Sequence, residues 1–473
     1  MNLISGHFIF FVLAVLLLYY AVPRKSQNVL LVAASYLFYF SISLWFPLIL
    51  IVVTVVTWLI AMQLFLKRQH RKTFFILALV FNLAILVVFK VHHFFVPQIL
   101  SRLDMFGWQD QTLGLHILIP VGMSFYILQA ISFVVDCYQG RLASFPGLMD
   151  FSLYLAYFPK LTAGPIERPG SFLPKLLKAR TVDNEKIAKA FALLLIGLVR
   201  KIVVADPLLA AVPAGLFQDP GAYTAVQLIS MALLFGLGLY FDFSGYTDIV
   251  RGISGFFGIE LSPNFRWPLF SKGISDFWNR WHISLSHWLR DNIFYPLTRM
   301  FLKKNIRSDN WKAVFIPPVV TMALSGFWHG TRAHFLVWGL IMGLLLAVER
   351  LWRVKVNPVR RIVPGTLRNM GSIVFTMGLI FACSIPFMVP LAKIVPYMKG
   401  VSKLNGLHAA NFRIFVFLVP GLLIDLIQFR ANDELVFMKW HSSFQAAAIA
   451  FAVLAVLFMS QVYVPGAFLY QGF

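Results

Sequence analysis

Long apolar runs recur through the chain, and they limit its possible folds more than any other feature. A helix needs about 20 mostly apolar residues to cross the hydrocarbon core of a bilayer. Runs near that length occupy 8–22, 28–45, 46–66, 73–91, 113–138, 187–205, 222–245, 311–328, 333–350, 371–391, 411–428 and 446–463. Because the second and third runs abut, we expect about 11 to 12 transmembrane helices. The sequence therefore predicts an all-α polytopic membrane protein.

The composition agrees with burial in lipid rather than in water. Only 13% of the 473 residues are charged and the mean hydropathy is +0.77, whereas soluble proteins carry about 25% charged residues. Shorter apolar pieces at 92–100 and 147–163, and the more polar, aromatic stretch 246–310, predict re-entrant or interfacial helices. No polar segment is long enough for a separate soluble domain, so we expect a single domain over residues 1–473.

The formal charge of +22 reflects membrane topology rather than nucleic-acid binding. The Lys and Arg residues cluster in short loops after the first, third, fifth and ninth runs and before the eighth, which is the pattern of cytoplasmic loops. Lys393, Lys399 and Lys403 are the exception, because they fall on the opposite side. We therefore expect a multi-pass protein of the cytoplasmic membrane that contacts anionic lipid, with its N-terminus outside and no nucleic-acid partner.

Two histidines stand out within this apolar background. His329 follows Trp328 at the end of the eighth run, and His282 ends the cluster Ser275–His282, which also contains Trp281. Ionisable groups at membrane depth are costly and are therefore candidates for function. An imidazole beside an apolar wall stays neutral and can accept a proton as a general base. The alternative for each histidine is an anchor in an interfacial belt of Trp, Arg and His.

A metal site does not fit these histidines. His287 follows His282 by five residues and His334 follows His329 by five, so neither pair shares one helix face as two metal ligands would. Polar residues that include Asp242 and Ser244 end the run 222–245. They are open to two interpretations, caps at a helix terminus or a polar lining near the site.

Several short motifs follow one another in an order that is specific to one family. They are Pro120–Tyr126 with Gln129 and Asp136, Phe158–Leu161, Ala163–Ile166, Asp242–Tyr246, Asn264-Phe265, Phe277–Trp288, Arg290-Asp291 and Phe327–Gly330. With these motifs the chain resembles the membrane-bound O-acyltransferase family over about 117–350. The similarity is strongest to the bacterial branch that contains alginate O-acetyltransferase and the D-alanyl transferase of teichoic acid.

This resemblance implies a ring of helices around a central tunnel. An acyl thioester enters from the cytoplasm and a hydroxyl acceptor enters from the outer side. His329 matches the catalytic histidine of the family, and His282 matches the second histidine of the bacterial branch. We expect the tunnel to be lined by Trp281, Trp328, Asp242, Ser244, Asn279, Arg280 and Arg290. No cofactor stays bound; the donor is acetyl-coenzyme A or the phosphopantetheine thioester of an acyl carrier protein.

The resemblance thus predicts an O-acyltransferase that acetylates an extracellular or cell-wall polysaccharide, with His329 as the general base. Transfer is either direct or relayed through an extracytoplasmic acyltransferase partner. The alternative within the same chemistry is transfer of D-alanine to teichoic acid from a carrier-protein thioester. Outside that chemistry, intramembrane His and Asp are also typical of a transporter or flippase, and a scaffold subunit of an export machine is a further alternative.

Overall fold

The computed structural model describes residues 4–105, 120–178, 180, 183–304, 311–355, 365–406, 412–463, 466 and 468. Over these ranges the secondary structure is helical, with short 3-10 and π segments and no strand. The predicted all-α class is therefore confirmed.

Twenty-one α-helices of very different length make up the described chain. They are α1 Gly6–Ala21, α2 Arg24–Phe40, α3 Phe46–Leu66, α4 Arg71–Met105, α5 Met123–Tyr138, α6 Leu148–Ala156, α7 Phe158–Leu161, α8 Pro169–Leu177, α9 Asn184–Leu198, α10 Asp206–Ala210, α11 Ala225–Phe256, α12 Ile274–Trp278, α13 Ile283–Leu289, α14 Tyr295–Lys304, α15 Trp311–His329, α16 Ala333–Lys355, α17 Gly365–Cys383, α18 Ile385–Met388, α19 Leu391–Ser402, α20 Leu418–Ala431 and α21 Ser442–Val462. Two π-helical segments, Val199–Ala205 and Arg290–Phe294, join α9 to α10 and α13 to α14.

Seven of the described helices are long and apolar enough to cross a membrane. The segments are Phe46–Leu66, Arg71–Val91, Ala225–Phe256, Ala333–Trp352, Arg368–Met388, Arg413–Ala431 and Ser442–Val462. Two further apolar helices, α1 and α5, are shorter. The chain is thus a multi-pass membrane protein, and many of the apolar side chains of these helices are exposed, as contact with lipid requires.

The spans that pass this test are fewer than the 11 to 12 predicted. The runs 28–45, 187–205 and 311–328 do form helices, namely α2, α9 and α15. However, α2 and α9 have only 17 and 15 residues and carry charges in their first turn, whereas α15 contains Lys312 and two prolines. Residues 113–119 of the fifth predicted run lie outside the described ranges.

Three shorter segments were predicted as re-entrant or interfacial helices. The piece 92–100 is instead the continuation of α4, which runs unbroken to Met105. The piece 147–163 forms α6 and α7, which are buried from Phe151 onward and are separated by a break at Tyr157. The stretch 246–304 contains the end of α11 followed by the short helices α12, α13 and α14, and residues 305–310 lie outside the described ranges.

The chain separates into two compact units. The first contains Met1–Ile187 and Ile253–Leu261, and at its centre lies Lys160, which is fully buried. The ammonium of Lys160 donates to the carbonyl oxygen of Tyr154 at 2.6 Å and to the side chain of Gln129, and it lies 5.2 Å from the ring centroid of Phe172. Burial lowers the pKa of Lys160 to about 7.

The second unit contains Ala188–Gly252 and Ser262–Phe473, and it holds both candidate histidines. Helices α15 and α16 form a hairpin in which glycines let the backbones approach closely. A Cβ added at Gly326 would lie 2.2 Å from the carbonyl oxygen of Phe335, and one at Gly339 would lie 2.3 Å from that of Met322. This packing fixes the end of α15, where His329 lies. The expectation of one domain over residues 1–473 stays a prediction.

Candidate active site

His329 is the last residue of α15, and aromatic rings surround it. Its imidazole is buried, and its ring centroid lies 4.9 Å from that of Trp328, 5.5 Å from that of Trp338 and 5.4 Å from that of Phe387. All three contacts are edge-to-face, the arrangement that aromatic pairs prefer. The sequence predicted an apolar wall from Trp328, and α16 and α18 supply the other two rings.

His282 is held in a backbone conformation that is unusual for a residue other than glycine. It directly precedes α13 with φ 42° and ψ 53°, which is the left-handed region. Histidine is one of the residues that tolerates this region better than most. Asn264 stabilises the turn, because its backbone carbonyl accepts from the amide of Ile283 at 2.9 Å and its Oδ1 accepts from the amide of Ser284 at 3.0 Å.

Burial keeps the imidazole of His282 neutral. The side chain is 1% exposed, and its ring packs edge-on against Phe243 with the centroids 4.9 Å apart. Desolvation, with a smaller contribution from the neighbouring His329, lowers the pKa of His282 well below the usual 6.5. A neutral imidazole presents one N–H donor and one acceptor nitrogen.

Trp328 links the two histidines. Its ring centroid lies 6.0 Å from that of His282 and 4.9 Å from that of His329. Both imidazoles also line one cavity of about 500 Å³, which we call the polar cavity. The structure therefore brings together two residues that are 47 positions apart in the sequence.

Hydroxyl, amide, imidazole and guanidinium groups line much of the polar cavity. The residues that supply them are Ser275, Asn279, His282, Ser286, His287, Arg290, Tyr295, Thr321, Ser325, His329 and Arg350. Arg290 pairs with Asp291 at 3.0 Å, and the guanidinium of Arg350 lies 5.2 Å from the ring centroid of Phe294. The cavity thus combines three imidazoles with two guanidinium groups.

A second cavity, which we call the apolar cavity, also reaches His329. Its volume is about 180 Å³, and it shares Trp278, Trp281 and His329 with the polar cavity. Most of its remaining lining is Leu, Met, Phe, Ile and Gly from α11, α16, α17 and α18. His329 therefore has a polar space on one side and an apolar space on another.

The predicted site residues fall into three groups. His329, His282, Trp281, Asn279 and Arg290 line the polar cavity. Trp328 packs between the two imidazoles without belonging to the lining of either cavity.

The remaining three predicted residues lie elsewhere. The side chain of Arg280 pairs with Asp276 at 2.8 Å. The carboxylate of Asp242 is completely buried and accepts from the ammonium of Lys201 at 2.7 Å, and Lys201 also pairs with Asp206. Ser244 is buried and its hydroxyl donates to the carbonyl oxygen of Phe241 at 3.4 Å. None of the three lines either cavity. Asp242 is paired with Lys201 instead, because a buried carboxylate needs a cation.

Sequence reasoning missed several residues that shape the site. Trp278 lies in the same aromatic cluster as His282, whereas Trp338 and Arg350 both come from α16. Glu349 accepts from the amide and the hydroxyl of Ser275, each at 2.7 Å, and so fixes the start of α12. In the sequence, only the high tryptophan content of 278–338 indicated a role for Trp278 and Trp338. Within the described ranges, no three His, Cys, Asp or Glu side chains form a group that could hold a metal ion.

Comparisons with a family model and with known proteins all identify acyltransferases. The model of the membrane-bound O-acyltransferase family matches residues 31–390. The probable alginate O-acetylase of Pseudomonas aeruginosa is 34% identical over 380 residues, which is 78% of this chain and 71% of that protein.

Two other kinds of acyltransferase are also similar to the chain. The peptidoglycan O-acetyltransferase of Helicobacter pylori is 28% identical over 73% of this chain and 67% of that protein. The teichoic acid D-alanyltransferase of Streptococcus thermophilus is 27% identical over 58% of this chain and 66% of that protein. Since the family model and the first relative each cover most of the chain, this protein belongs to the membrane-bound O-acyltransferase family and is an acyltransferase.

Proposed function

We propose that this protein moves an acetyl group from a cytoplasmic thioester to hydroxyl groups of an extracellular or cell-wall polysaccharide, with His329 as general base. The observation that carries the proposal is that two buried imidazoles, His329 and His282, line one polar cavity in an enzyme of this family. A neutral, desolvated imidazole is a competent base for a hydroxyl.

The chemistry is the transfer of one acyl group from the sulfur of a thioester donor to the oxygen of a hydroxyl acceptor. The hydroxyl oxygen of the acceptor attacks the thioester carbonyl carbon while its proton passes to His329. His282, kept neutral by burial, donates its N–H to the oxygen that becomes negatively charged. The carbon–sulfur bond then breaks, and the thiolate takes the proton from His329. The products are an ester and a free thiol, and both imidazoles return to their starting state.

The polar cavity suits the arm of a thioester donor. The phosphopantetheine arm carries amides and ends in phosphate, and Arg is well matched to phosphate. Arg290 and Arg350 both line this cavity and supply guanidinium groups. The donor is a co-substrate, acetyl-coenzyme A or the phosphopantetheine thioester of a carrier protein, and no resident cofactor is needed for the steps above.

The relatives support a polysaccharide acceptor. The Pseudomonas and Helicobacter proteins are named for acetylation of alginate and of peptidoglycan, and the 34% identity of the Pseudomonas protein exceeds that of the D-alanyltransferases. We place the protein in the cytoplasmic membrane with its N-terminus outside, so that the basic loops face the donor. The acceptor is either the polymer itself or an extracytoplasmic acyltransferase partner that passes the group on.

The ester content of the surface polymer tests the proposal. Wild type, His329→Ala, His282→Ala and the control His7→Ala are expressed in cells lacking the native protein, and membrane levels are matched. His7 is an exposed histidine of α1. We expect His329→Ala to lower ester content about 100-fold or more, His282→Ala to lower it strongly, and His7→Ala to match wild type.

The identity of the released acid separates the alternatives. Acetate supports the proposal, whereas alanine would assign the D-alanyl reaction. Ester content that is equal to wild type in both His329→Ala and His282→Ala would remove the catalytic interpretation and favour a transporter or scaffold.

A further inference from the structure

Two adjoining spaces beside α20 have no role in the acyl transfer described above. One, which we call the interfacial pocket, has a volume of about 290 Å³ and is lined mainly by polar side chains such as Arg200, Arg266 and Asp433. The other, which we call the lipid-facing groove, has a volume of about 140 Å³ and is lined mainly by apolar side chains such as Ile424 and Phe437. We propose that together they bind one molecule of phosphatidylethanolamine, with its head in the pocket and part of one acyl chain in the groove.

The pocket and the groove share part of their walls. Ile196, Gln428 and Glu434 line both of them, so that one molecule can occupy the two spaces at once. A polar group that leaves water needs new hydrogen-bond partners, whereas an alkyl group gains free energy from the same transfer. A polar space that adjoins an apolar one therefore matches an amphipathic ligand.

The pocket lies at the ends of membrane-spanning helices, where lipid heads are found. Its residues 432–434 fall between the spans Arg413–Ala431 and Ser442–Val462. The groove is lined from both of these spans, by Ile424 on one and Ala448 on the other among others. Lipid heads lie just outside the hydrocarbon core of the bilayer. A phospholipid in the bilayer thus has its head at the level of the pocket and its chains beside the groove.

The charges of the interfacial pocket favour a zwitterionic head. Three carboxylates, those of Asp248, Asp433 and Glu434, line it together with the guanidinium groups of Arg200 and Arg266. A purely anionic head would meet an excess of negative charge, whereas a zwitterion places its phosphate beside arginine and its ammonium beside a carboxylate. Carboxylates only accept hydrogen bonds, so an ammonium with three N–H donors suits them better than a quaternary choline.

Arg200 is the buried cation of the pocket. Its side chain is 6% exposed, pairs with Asp248 and with Asp425 at 2.6 Å, and donates to Gln428 at 3.0 Å. Within the described ranges, its Nε is buried and has no hydrogen-bond partner. A buried donor without an acceptor is costly. A phosphate oxygen in the pocket would supply that acceptor, and the exposed Arg266 supplies a second guanidinium for the same phosphate.

Trp267 lines the pocket with a strained backbone. Its φ of 49° and ψ of 57° lie in the left-handed region, where a bulky residue is an outlier. The indole Nε1 donates to Oε1 of Gln428 at 3.0 Å, which holds the ring beside the pocket. Strained residues cluster at ligand sites, because the surrounding structure must be built to hold them. The strain therefore occurs beside the same pocket as the unpaired Nε of Arg200.

Tyr240 connects the interfacial pocket to the active site. It lines both this pocket and the apolar cavity beside His329. Its hydroxyl donates to Asp425 at 2.5 Å, and the same carboxylate accepts from Arg200 at 2.6 Å. A head that binds against Arg200 therefore stabilises the wall that Tyr240 contributes to the apolar cavity.

Native mass spectrometry of the full chain tests the choice of head. Detergent-purified protein is incubated with equal amounts of dioleoyl phosphatidylethanolamine, phosphatidylcholine and phosphatidylglycerol, and the lipid that each protein molecule retains is counted. We expect wild type to retain one phosphatidylethanolamine about tenfold more often than either other lipid. The same lipid should raise the unfolding temperature more than the other two, since it binds the folded protein.

Four variants test the location of the site. Arg266→Ala removes a guanidinium from the pocket and Ala448→Phe fills the groove, so each should lower the retention of phosphatidylethanolamine about tenfold. Arg430→Ala and Ala447→Phe are the matched controls. Both are exposed, they lie on α20 and α21, and neither lines the pocket or the groove. The controls should retain the lipid as wild type does.

The outcomes decide the proposal without reference to acyl transfer. Equal retention of the three lipids by wild type, or a preference for phosphatidylglycerol, would overturn it. Retention that stays at the wild-type level in both Arg266→Ala and Ala448→Phe, or that falls equally in the controls, would also overturn it. Unfolding temperatures in lipid-free detergent show which variants are folded. Should Ala448→Phe be unfolded, Arg266→Ala decides, because its side chain is exposed.

Discussion

His282 adopts a left-handed backbone that most side chains avoid, and the neighbouring Asn264 stabilises it. The amides of Ile283 and Ser284 at the start of α13 both donate to Asn264, which precedes α12 in the chain. The helix therefore receives its N-terminal cap from another segment rather than from its own N-cap residue. These two hydrogen bonds fix the backbone beside His282 and so orient its imidazole.

Removal of the Asn264 side chain should destabilise the protein and misplace His282. Loss of a capping acceptor costs about 1–2 kcal/mol, so Asn264→Ala should lower the unfolding temperature and ester formation. Asn264→Asp keeps an oxygen acceptor and should retain more of both. The unfolding temperature is measured on detergent-purified protein through its tryptophan fluorescence. An alanine variant as stable and active as wild type would contradict the capping role.

The depressed pKa of His282 makes stability depend on pH. Between its folded pKa and the unfolded value of 6.5, the unfolded chain binds more protons at this site than the folded chain. This contribution is therefore fully present above pH 6.5 and is lost as the pH falls below that value. The unfolding temperature of wild type should drop more between pH 7 and pH 5 than that of His282→Asn. Parallel pH profiles for the two proteins would count against a neutral, buried His282.

The sequence was informative about the histidines and uninformative about Asp242. Tryptophans beside His329 and His282 are visible in the sequence and point to a shared apolar wall. Asp242 looked like part of the site, yet its partner Lys201 lies 41 residues earlier on a π-helical segment. Such a distant ion pair has no local signature, and neither does the contribution of α16 to the cavities.

The α15–α16 hairpin is the element on which the site depends most. Gly326, Gly339 and Gly343 lie on its facing surfaces, and a Cβ at any of them would come within 2.6 Å of the other helix. Small residues at such interfaces let helices in membranes pack through direct van der Waals contact. The glycines near His329 in the sequence indicated that another backbone could approach closely, but the sequence did not identify α16 as that partner.

Even the small substitution Gly326→Ala should therefore destabilise the protein strongly. The Cβ of Gly326→Ala would lie 2.2 Å from the carbonyl oxygen of Phe335, so the helices must separate. We expect a loss of about 3 kcal/mol together with loss of ester formation, since His329 ends the same helix. The control Gly371→Ala lies in α17 where an added Cβ meets nothing within 4 Å. Equal unfolding temperatures for Gly326→Ala and Gly371→Ala would refute the close-packing argument.

At the level of the whole chain, the apolar runs predicted a multi-pass membrane protein correctly, and the basic loops predict its orientation. The apolar runs did not predict how many helices meet the length and hydropathy of a membrane span, because α2, α9 and α15 include charges or prolines. The sequence also could not predict the apolar cavity, since its lining comes from six separate helices and from segments between them. Periodicity describes single elements, whereas a cavity is a property of their packing.

Accessibility of single cysteines tests the orientation. In a background where Cys137 and Cys383 are replaced by alanine, Leu44→Cys and Lys67→Cys place a thiol at the two ends of α3. Both positions are exposed. With the N-terminus outside, a membrane-impermeant maleimide should label Leu44→Cys on intact cells and Lys67→Cys only after permeabilisation. The reverse pattern would invert the topology and the side from which the donor enters.

The close packing of α15 against α16 also has a consequence for biosynthesis. Helix α15 carries Lys312, Pro317, Pro318 and a terminal histidine, and it is not among the seven helices apolar enough to span a membrane by composition. The neighbouring helix α16 is among those seven, and only a short turn joins α15 to α16. We therefore expect α15 to leave the translocon as half of a helical hairpin, held in the lipid by α16. His329 would then reach its place in the bilayer through the hydrophobicity of a helix that is made after it.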